Sequence, residues 1–409
     1  MKREAVHIYE DGHASGDTEL WKRVSLLNVV EIVSGQVDPK QSPYNEMILV
    51  APDHIEPCTG RIISKETART QSAISGKYYA KKGCVLYSKI RPYLCKAAIA
   101  DEDVLCSADM YPIHCKDEIL PQYLLYILLS KHFTDFTASM SGRTGIPKIN
   151  REELAEYHFD LPTIENQLKI SKILNTWDTA ITQTERLIAA KQKLKKGLMQ
   201  QLLTGKRRLE KFNEQWVPIS LNDVAALKNG YAFKSESYDS KGKYSIITIS
   251  NVQDGCMHAR GCDRIASLPP DLQEHHMLHN GDILISMTGN VGRVCRVNTQ
   301  DTLLNQRVGK LVPKKINNGF FFCLINSQGF IREMAKKAQG GAQGNIGIGD
   351  ILGYETNIPK LEEEQKEIST ISNAISDEIN LLHQSSIKLK EQKRGLMQKL
   401  LTGQVRVKI

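Results

Sequence analysis

Paired cysteines are missing from this 409-residue sequence, which has nine cysteines but no C-x-x-C spacing. An odd number of scattered cysteines argues against both a zinc ribbon and a disulfide framework. No 18-residue apolar run is present, and the first residues lack the apolar stretch of a signal peptide. These absences favour a folded, soluble protein whose thiols stay free in the reducing cytoplasm.

Common signatures of catalysis are also missing. There is no G-x-x-x-x-G-K-[ST] phosphate loop, no H-E-x-x-H metal site and no Asn-Pro-Pro-aromatic methyltransferase tetrad. Pro52-Asp53 begins a loose nuclease-like string, but no acidic-x-Lys partner follows at a suitable distance. We therefore expect a chain that has no catalytic activity and binds neither metal nor cofactor itself.

What the sequence does contain is a globular composition with a mild excess of positive charge. Hydrophobic residues make up 41% and charged residues 24%, so each folded unit can bury a core. Lys and Arg outnumber Asp and Glu by 54 to 46, which gives a net charge of +8. That excess is compatible with a polyanionic partner, although many proteins with no nucleic-acid role carry as much.

An internal repeat organises the chain. Gly197-Leu-Met-Gln-Gln-Leu-Leu-Thr-Gly205 returns 198 residues later as Gly395-Leu-Met-Gln-Lys-Leu-Leu-Thr-Gly403, with eight of nine positions identical. Gly83-x-x-Leu86-x-Ser88 likewise faces Gly281-x-x-Leu284-x-Ser286, and Trp21 faces Trp216. The stretches before Gly83 and Gly281 share little. Two halves with one scaffold and different variable parts are expected of two readers with different targets, although drift in surface loops would look similar.

Each half is expected to hold a mixed α/β globular domain followed by a long helix. Short β-branched runs at 244–250 and 282–286 predict strands, and the patterns at 121–139 and 319–338 each predict one amphipathic helix. The predicted boundaries are 1–160 for the first domain, 161–205 for the first long helix, 206–358 for the second domain, and 359–409 for the second long helix with its tail.

The long helices carry apolar residues at the spacing of a coiled coil. In the second helix these repeat strictly every seven residues, at Ile368, Ile375, Leu382, Leu389 and Leu396. In the first helix the stripe is broader, with packing positions at Ile170, Trp177, Ile181, Ile188, Leu198 and Leu202, and with Leu187 and Leu194 beside them.

Two arrangements fit these stripes. Each helix can pack on its own domain, or the two helices can pack on each other. A helix over 164–202 would be about 58 Å long at about 1.5 Å per residue, which exceeds the diameter of a domain of this size. We therefore expect an α+β protein in which two mixed α/β domains are separated by two helices forming an antiparallel coiled coil, with a pseudo-twofold repeat.

A globular domain, a long helix ending in Leu-Leu-Thr-Gly, and then the same again resembles the specificity subunits of type I restriction-modification systems. The resemblance covers nearly the whole chain. Its most specific signals are Ser141-Gly-Arg-Thr-Gly-Ile-Pro-Lys-Ile-Asn150, the Leu161-Pro162 step and Gln167-x-x-Ile170, together with the twin Gly-Leu-Met-Gln segments. The second half carries a close variant, in which Ile358-Pro359 precedes Gln365-x-x-Ile368.

This resemblance implies that each globular part is a target-recognition domain, which reads one half of a bipartite, asymmetric double-stranded DNA site. Helix length would set the unspecified spacer. The chain would recruit two methyltransferase subunits and, through them, restriction and translocase subunits. S-adenosylmethionine, ATP and Mg²⁺ would then bind those partners. The first half departs from the second, since Lys89-Ile-Arg-Pro-Tyr93 and Cys106-Ser-Ala-Asp109 replace Ser286-Met-Thr-Gly289 and Asn305-Gln306.

DNA reading requires cations and amides that reach base edges and phosphates. The candidates in the first domain are Lys77, Tyr78, Lys81, Lys82, Arg91, Tyr93 and Arg143. The candidates in the second domain are Lys234, Asn290, Arg293, Arg296, Asn305, Gln306 and Arg307. Near the end of the first helix, Lys191 and Lys193 are expected to stay solvated.

Two other features leave alternatives open. His275 and His279 have the i, i+4 spacing of zinc ligands, but no third ligand is evident and we expect this segment to lie at the surface. The whole chain could also be a coiled-coil adaptor that grips proteins, or a nuclease or methyltransferase with unfamiliar motifs. The adaptor predicts no salt-sensitive, sequence-selective DNA binding, and the enzyme predicts activity of the purified chain.

Overall fold

The computed structural model describes residues 21–142, 146–253, 255–339 and 344–407. The chain divides into two compact units, one within residues 1–186 and 383–409 and the other within 187–382. We call them the first and second unit. Each contains one globular domain with parts of both long helices, and the domain limits expected at 160, 205 and 358 stay predictions. Among the described residues, no helix is both long and apolar enough to cross a membrane.

The first unit is built on two four-stranded sheets and a two-stranded ribbon. The sheets have the strand orders β2-β9-β6-β7 and β3-β5-β8-β4, and the ribbon pairs β1 with β10. All pairs are antiparallel except β4 with β8. The strands are β1 Lys22–Ser25, β2 Val30–Ile32, β3 Gln36–Val37, β4 Leu49–Val50, β5 Lys77–Ala80, β6 Val85–Ser88, β7 Ala97–Ile99, β8 Val104–Cys106, β9 Met110–Cys115 and β10 His158–Leu161.

Strand β6 is buried on both faces, as the alternation of side chains allows. Val85 and Tyr87 join the core that packs against the helices. Leu86 points the other way, into a second core between the sheets. The helices of this unit are α1 Leu26–Val29, α2 Pro121–Leu128, α3 Lys131–Met140 and α4 Arg151–Ala155, followed by the start of α5 Ile164–Leu202.

The second unit repeats this plan with larger sheets. A six-stranded sheet has the order β12-β21-β18-β19-β15-β14, a four-stranded sheet the order β16-β13-β20-β17, and a ribbon pairs β11 with β22. The strands are β11 Val217–Ser220, β12 Ala225–Asn229, β13 Tyr244–Ile247, β14 Val252–Gln253, β15 Gly255–Met257, β16 Arg264–Ile265, β17 Met277–Leu278, β18 Ile283–Ser286, β19 Val294–Arg296, β20 Thr302–Leu304, β21 Val308–Pro313 and β22 Glu355–Ile358. The helices are α6 Leu221–Val224, α7 Asn318–Ile325, α8 Gln328–Gln339 and α9 Ile348–Leu352, followed by α10 Glu362–Leu401.

The single helices predicted at 121–139 and 319–338 are wrong, because each is two helices. The break has the same cause in both units. Ser130 and Ser327 restart the chain as N-caps, and their hydroxyl oxygens accept the amides of Phe133 and Phe330, both at 3.2 Å. In each unit a short helix and a strand of the ribbon then complete the domain.

The long helices α5 and α10 pair antiparallel inside each unit. In the first unit Asp178 contacts Lys393 at 2.5 Å and Glu185 contacts Lys390 at 2.7 Å, so one residue number rises as the other falls. In the second unit Lys191 contacts Glu378 at 2.8 Å, and Lys195 donates to the hydroxyl of Ser376 at 2.6 Å. The predicted antiparallel coiled coil is confirmed.

The predicted heptad period is correct, and the predicted α5 positions Ile170, Ile181, Ile188 and Leu202 are buried. In α10 the line of deepest burial is not the one expected. The predicted positions Ile375, Leu382, Leu389 and Leu396 are only partly buried, and Leu187 and Leu194 are exposed. A second heptad line lies deeper in each helix, which we call the inner line. It comprises Gln167, Leu174, Ile181, Ile188, Lys195 and Leu202 in α5, and Gln365, Ser372, Ile379, Ser386, Lys393 and Leu400 in α10. The apolar pattern missed this line in α10 because half of its positions there are Ser or Lys.

Two of the sequence signals anchor the helix ends. The Gln167 side chain accepts the amide of Leu120 and donates to the carbonyl oxygen of Pro162, at 2.8 and 2.9 Å. Gln365 makes the equivalent bonds to Asn317 and Pro359, at 2.9 and 2.8 Å. The Gln-x-x-Ile motif therefore fixes the start of each long helix against its own domain.

The Leu-Leu-Thr-Gly signal ends each helix. Gly205 and Gly403 have φ values of 69° and 70°, the left-handed conformation that glycine adopts at a helix C-terminus. A Cβ on either glycine would lie 3.6 Å from a tryptophan ring, Trp216 for Gly205 and Trp21 for Gly403. The repeated tryptophan thus covers the helix end within its own unit.

Candidate nucleic-acid interface

The two units share one backbone frame where β6 and β18 end. In the first unit the carbonyl oxygen of Lys89 accepts the amide of Ile149 at 2.9 Å. In the second unit Met287 accepts the amide of Ile346 at 3.0 Å. Each connection is completed by an antiparallel bridge, Ile90 with Lys148 and Thr288 with Asn345. The same loop is therefore presented in both units, with different side chains.

The candidates on β5 and its following turn differ in accessibility. Lys77 is buried, and its ammonium donates to the carbonyl and hydroxyl oxygens of Ser75 at 2.6 and 2.7 Å. Burial lowers the pKa of Lys77. Tyr78 is half-buried, whereas Lys81 and Lys82 are exposed in the turn. These two lysines are the ones in this group that a DNA backbone can reach without rearrangement.

Arg91 and Tyr93 lie at the far side of the shared loop. Both are exposed, and Arg91 adopts a left-handed φ of 47°. Its amide donates to the carbonyl oxygen of Pro147 at 2.7 Å, so the loop is tied to the segment before α4. The candidate Arg143 lies outside the described residues.

Two cations of the second unit already have partners. Arg293 donates to the side-chain oxygen of Gln253 at 2.7 Å. Arg296 donates to the carbonyl oxygens of Gly281 and Asn318 at 3.3 and 3.1 Å, and its guanidinium lies 4.6 Å from the ring centroid of Phe322. Burial lowers the pKa of Arg296. Their contact with DNA stays a prediction.

Three of the remaining candidates of the second unit, Asn305, Gln306 and Arg307, lie together in one turn. Gln306 and Arg307 are exposed, and the amide of Gln306 donates to the carbonyl oxygen of Tyr231 at 2.9 Å. Asn305 pairs with Tyr231 in a parallel bridge. The structure thus brings the turn at 305–307 beside the segment that leads to Lys234, which is exposed. Asn290 is exposed in the shared loop.

We expected the histidine segment to lie at the surface, but part of it is buried. His276 is buried, and its Nδ1 accepts the amide of Gln273 at 3.0 Å, which completes a short 3-10 turn. His275 contacts the carbonyl oxygen of Asn229 at 3.1 Å. Within the described ranges there is no cluster of three His, Cys, Asp or Glu residues that could hold a metal.

The expectation that Lys191 stays solvated is also wrong, because it pairs with Glu378 on α10. Lys193 is exposed, as expected. A further group escaped the sequence argument: Lys89, Arg151 and Tyr111, which β6, β9 and α4 bring together. Their positions are far apart in the chain, and the strand pairing that joins them cannot be read from composition.

Two mixed α/β domains on one frame, each with a long helix that pairs antiparallel, define a class of internally duplicated proteins. A family model described as the type I restriction modification DNA specificity domain matches residues 18–192 and again residues 213–391. These matches cover most of the chain and follow the repeat. The chain therefore belongs to the family of type I restriction-modification DNA specificity proteins.

Individual relatives agree with this assignment. The type I restriction enzyme MjaVIII specificity subunit of Methanocaldococcus jannaschii is 28% identical over 325 residues, which are 74% of this chain and 75% of that protein. The type I restriction enzyme EcoDI specificity subunit of Escherichia coli is 33% identical over 189 residues, which are 45% of this chain and 42% of that protein.

Solved structures show the same fold. A chain from a study of complex assembly and conformational transition of the type I R-M system covers 96% of this chain and 100% of its own length, with a TM-score of 0.63 and 20% identity. The type I restriction-modification S subunit from M. genitalium covers 95% of this chain and 98% of its own length, with a TM-score of 0.56 and 15% identity.

Proposed function

We propose that this chain reads a bipartite, asymmetric DNA site, with one part bound by each globular domain. The observation that carries the proposal is the shared loop frame, which presents Lys89 and Ile90 in one unit and Met287 and Thr288 in the other. A common frame fixes where the loop meets a ligand, and the side chains decide which ligand fits. Family membership supports DNA as that ligand rather than a protein held by an adaptor.

The long helices support a constant distance between the two DNA contacts. Their heptad pairing is reinforced by polar contacts in each unit, including Lys390 to Glu185 and Lys191 to Glu378. A coiled coil held at several points resists bending and sliding. We therefore propose that the length of these helices sets the length of the unspecified spacer in the DNA site.

Partner subunits would carry out the catalytic reactions. The chain would recruit two methyltransferase subunits and, through them, restriction and translocase subunits in the cytoplasm, while S-adenosylmethionine, ATP and Mg²⁺ bind to those partners. Six large apolar side chains remain exposed along the helices and are accessible to such partners. They are Ile164, Leu168, Leu187, Leu194, Leu381 and Ile387.

Exchange of one domain tests the modular part of the proposal. Residues 206–358 are replaced by the matching segment of a relative, and methylated sites are mapped in DNA modified by the assembled methyltransferase. We expect one half of the site to change while the other half and the spacer stay constant, because the first domain and both helices are retained. The reciprocal exchange of residues 1–160 serves as the control. A change in both halves from a single exchange contradicts the proposal.

A further inference from the structure

Lys89 is a largely buried lysine that forms no salt bridge with a described residue, although the carboxylate of Asp109 acts on its charge. Its side chain is only 9% exposed, at the end of β6. Its ammonium lies 5.0 Å from the ring centroid of Tyr111, and no hydrogen-bond acceptor contacts it within the described residues. The nitrogen itself keeps contact with solvent, so water can satisfy it and a ligand can reach it. The position can therefore accept a ligand that brings negative charge.

Two further cations share this place. The guanidinium of Arg151 lies 5.8 Å from the same Tyr111 ring and donates to the carbonyl oxygen of Val33 at 3.1 Å. Lys148 is exposed and belongs to the bridge with Ile90. Burial, and then the charge of Lys148, lower the pKa of Lys89, with Arg151 acting in the same direction. The carboxylate of Asp109 opposes them but does not reverse the shift.

The nearby acid on α4 is already used by the fold. Glu153 is buried, and its carboxylate accepts the amide of Asn150 at 2.8 Å in the capping box that starts α4. That arrangement satisfies the helix terminus. Glu153 thus takes part in the fold of α4, and it is not among the groups that shift the pKa of Lys89.

The second unit has the same frame without the charges. Met287 stands at the position of Lys89, and its sulfur lies 3.2 Å from where a Cβ on Gly309 would be. Strand pairing places Gly309 where the first unit has Tyr111, because Ile285 faces Gly309 as Tyr87 faces Tyr111. Asn345 occupies the bridge position of Lys148. The cationic group is thus a property of the first unit.

We propose that Lys89, Lys148 and Arg151 form a binding site for a DNA backbone phosphate, which positions the half-site read by the first domain. This inference rests on the proposed function. A phosphate is preferred over a base edge because the short exposed tip of Lys89 cannot extend into a groove. A phosphodiester oxygen lies on the outside of the duplex and is negatively charged. A partly desolvated ammonium also interacts with it more strongly than a fully solvated one.

The variant K89M tests the site without introducing a foreign side chain, since the second unit carries Met287 on the same frame. DNA binding by the chain assembled with its methyltransferase subunits is measured across a range of salt concentrations. One lost phosphate contact should reduce the slope of log affinity against log salt by about 0.9, equivalent to about an eightfold loss of affinity at 0.1 M salt. The loss should be equal for the cognate site and for sequences with altered bases.

The control is K65M, which removes a lysine already paired with Asp101 and Glu102 at 2.6 and 3.5 Å. It should leave the salt slope unchanged. Thermal unfolding of K89M should show little loss of stability, because methionine fills a similar volume and no salt bridge of Lys89 is lost. If K89M nevertheless folds poorly, the same salt dependence is measured with K148N, which copies Asn345 of the second unit.

Two results would overturn the inference. One is a salt slope for K89M equal to that of the unaltered chain. The other is an affinity loss confined to particular base pairs, which would make Lys89 a reader of bases. Both differ from failure of the proposed function, in which the unaltered assembly shows no sequence-selective DNA binding at all.

Discussion

Cys58 and Cys95 are neighbours with unusual backbone conformations. Their φ values are 61° and 51°, and the amide of Cys58 donates to the carbonyl oxygen of Cys95 at 2.8 Å. The neighbouring Cys95 side chain, opposed by burial and assisted by the charges of Arg394 and Lys393, lowers the pKa of Cys58 to about 6. Cys58 is exposed, whereas Cys95 is buried. The arrangement therefore favours the thiolate form of Cys58.

Alkylation kinetics test this arrangement. Because the thiolate is the nucleophile, the rate at Cys58 should rise with pH to half its maximum near pH 6, which is read by mass spectrometry of peptides after brief iodoacetamide treatment. C95S should slow the reaction at pH 7, since a serine hydroxyl packs and donates differently from the thiol. C256S is the matched control at another exposed cysteine and should leave the rate at Cys58 unchanged. A midpoint above pH 8 at Cys58 would contradict the assignment.

The sequence identified residues of the right chemical type, but it did not predict their burial or their contacts. Gln306 and Arg307 are exposed, as a DNA contact requires. Arg296 was chosen for its charge, yet its guanidinium packs on Phe322, a residue from a different element. Lys89 was passed over because burial beside Tyr111 arises only when β6 pairs with β9. Accessibility and pairing are tertiary properties, so a local pattern cannot supply them.

Among the elements, the long helices depend on a few polar contacts in their inner line. Lys393 is buried, lies over the ring of Tyr126 at 5.2 Å and pairs with Asp178. The hydroxyl of Tyr126 donates to the same carboxylate at 2.9 Å. Burial, followed by the charge of Asp178, raises the pKa of Tyr126, which keeps its phenol protonated as a donor. In the second unit Lys195 instead donates to the hydroxyl of Ser376 at 2.6 Å.

A double-mutant cycle tests how much the contact between Asp178 and Lys393 contributes to the free energy of unfolding. D178A should lower the free energy of unfolding by about 2 to 3 kcal/mol, because it leaves the buried ammonium of Lys393 without a counter-ion. The double variant D178A/K393M should recover most of that loss, since an uncharged side chain replaces the ammonium. Urea-induced unfolding measures both. S376A is the control at the equivalent contact, with an expected cost of about 1 kcal/mol. Equal losses for D178A and the double variant would disprove the interpretation.

The elements show where periodicity is sufficient and where it fails. The heptad period, the antiparallel pairing and both helix ends were predictable, because Leu-Leu-Thr-Gly and the Gln-x-x-Ile motif are local signals. The inner line of α10 was not, since Ser372 and Ser386 are polar yet buried. The breaks at Ser130 and Ser327 were missed as well, although a serine before an apolar run is a recognised start signal.

For the molecule as a whole, the function of the helices predicts a length relation. Seven residues inserted in each helix, after Leu187 and after Gln384, preserve the heptad phase of the inner line. They add about 10.5 Å of helix, so the DNA spacer should lengthen by about three base pairs at about 3.4 Å each. Mapping of methylated sites gives the spacer directly.

The control for this experiment is the same insertion in α5 alone, which moves one inner line past the other and should reduce methylation of every site. An unchanged spacer with full methylation by the doubly extended chain would refute the relation between helix length and spacer. At this scale the repeat revealed two domains and two helices from sequence alone, because duplication leaves an exact local record. The DNA sequence read by each domain does not follow from it, since readout depends on loop geometry.

The residues of the inner line also indicate how the duplicated chain arose. Lys195 and Lys393 are 198 residues apart and occupy the same heptad position, whereas Asp178 corresponds to Ser376. The first half thus carries both members of the ion pair on one helix, and the second half carries only the lysine. Two copies of the first half, joined antiparallel, would each supply the aspartate for the other's lysine. The first half therefore retains the chemistry of a self-complementary dimer, from which a fused gene with two separately evolving readers can arise.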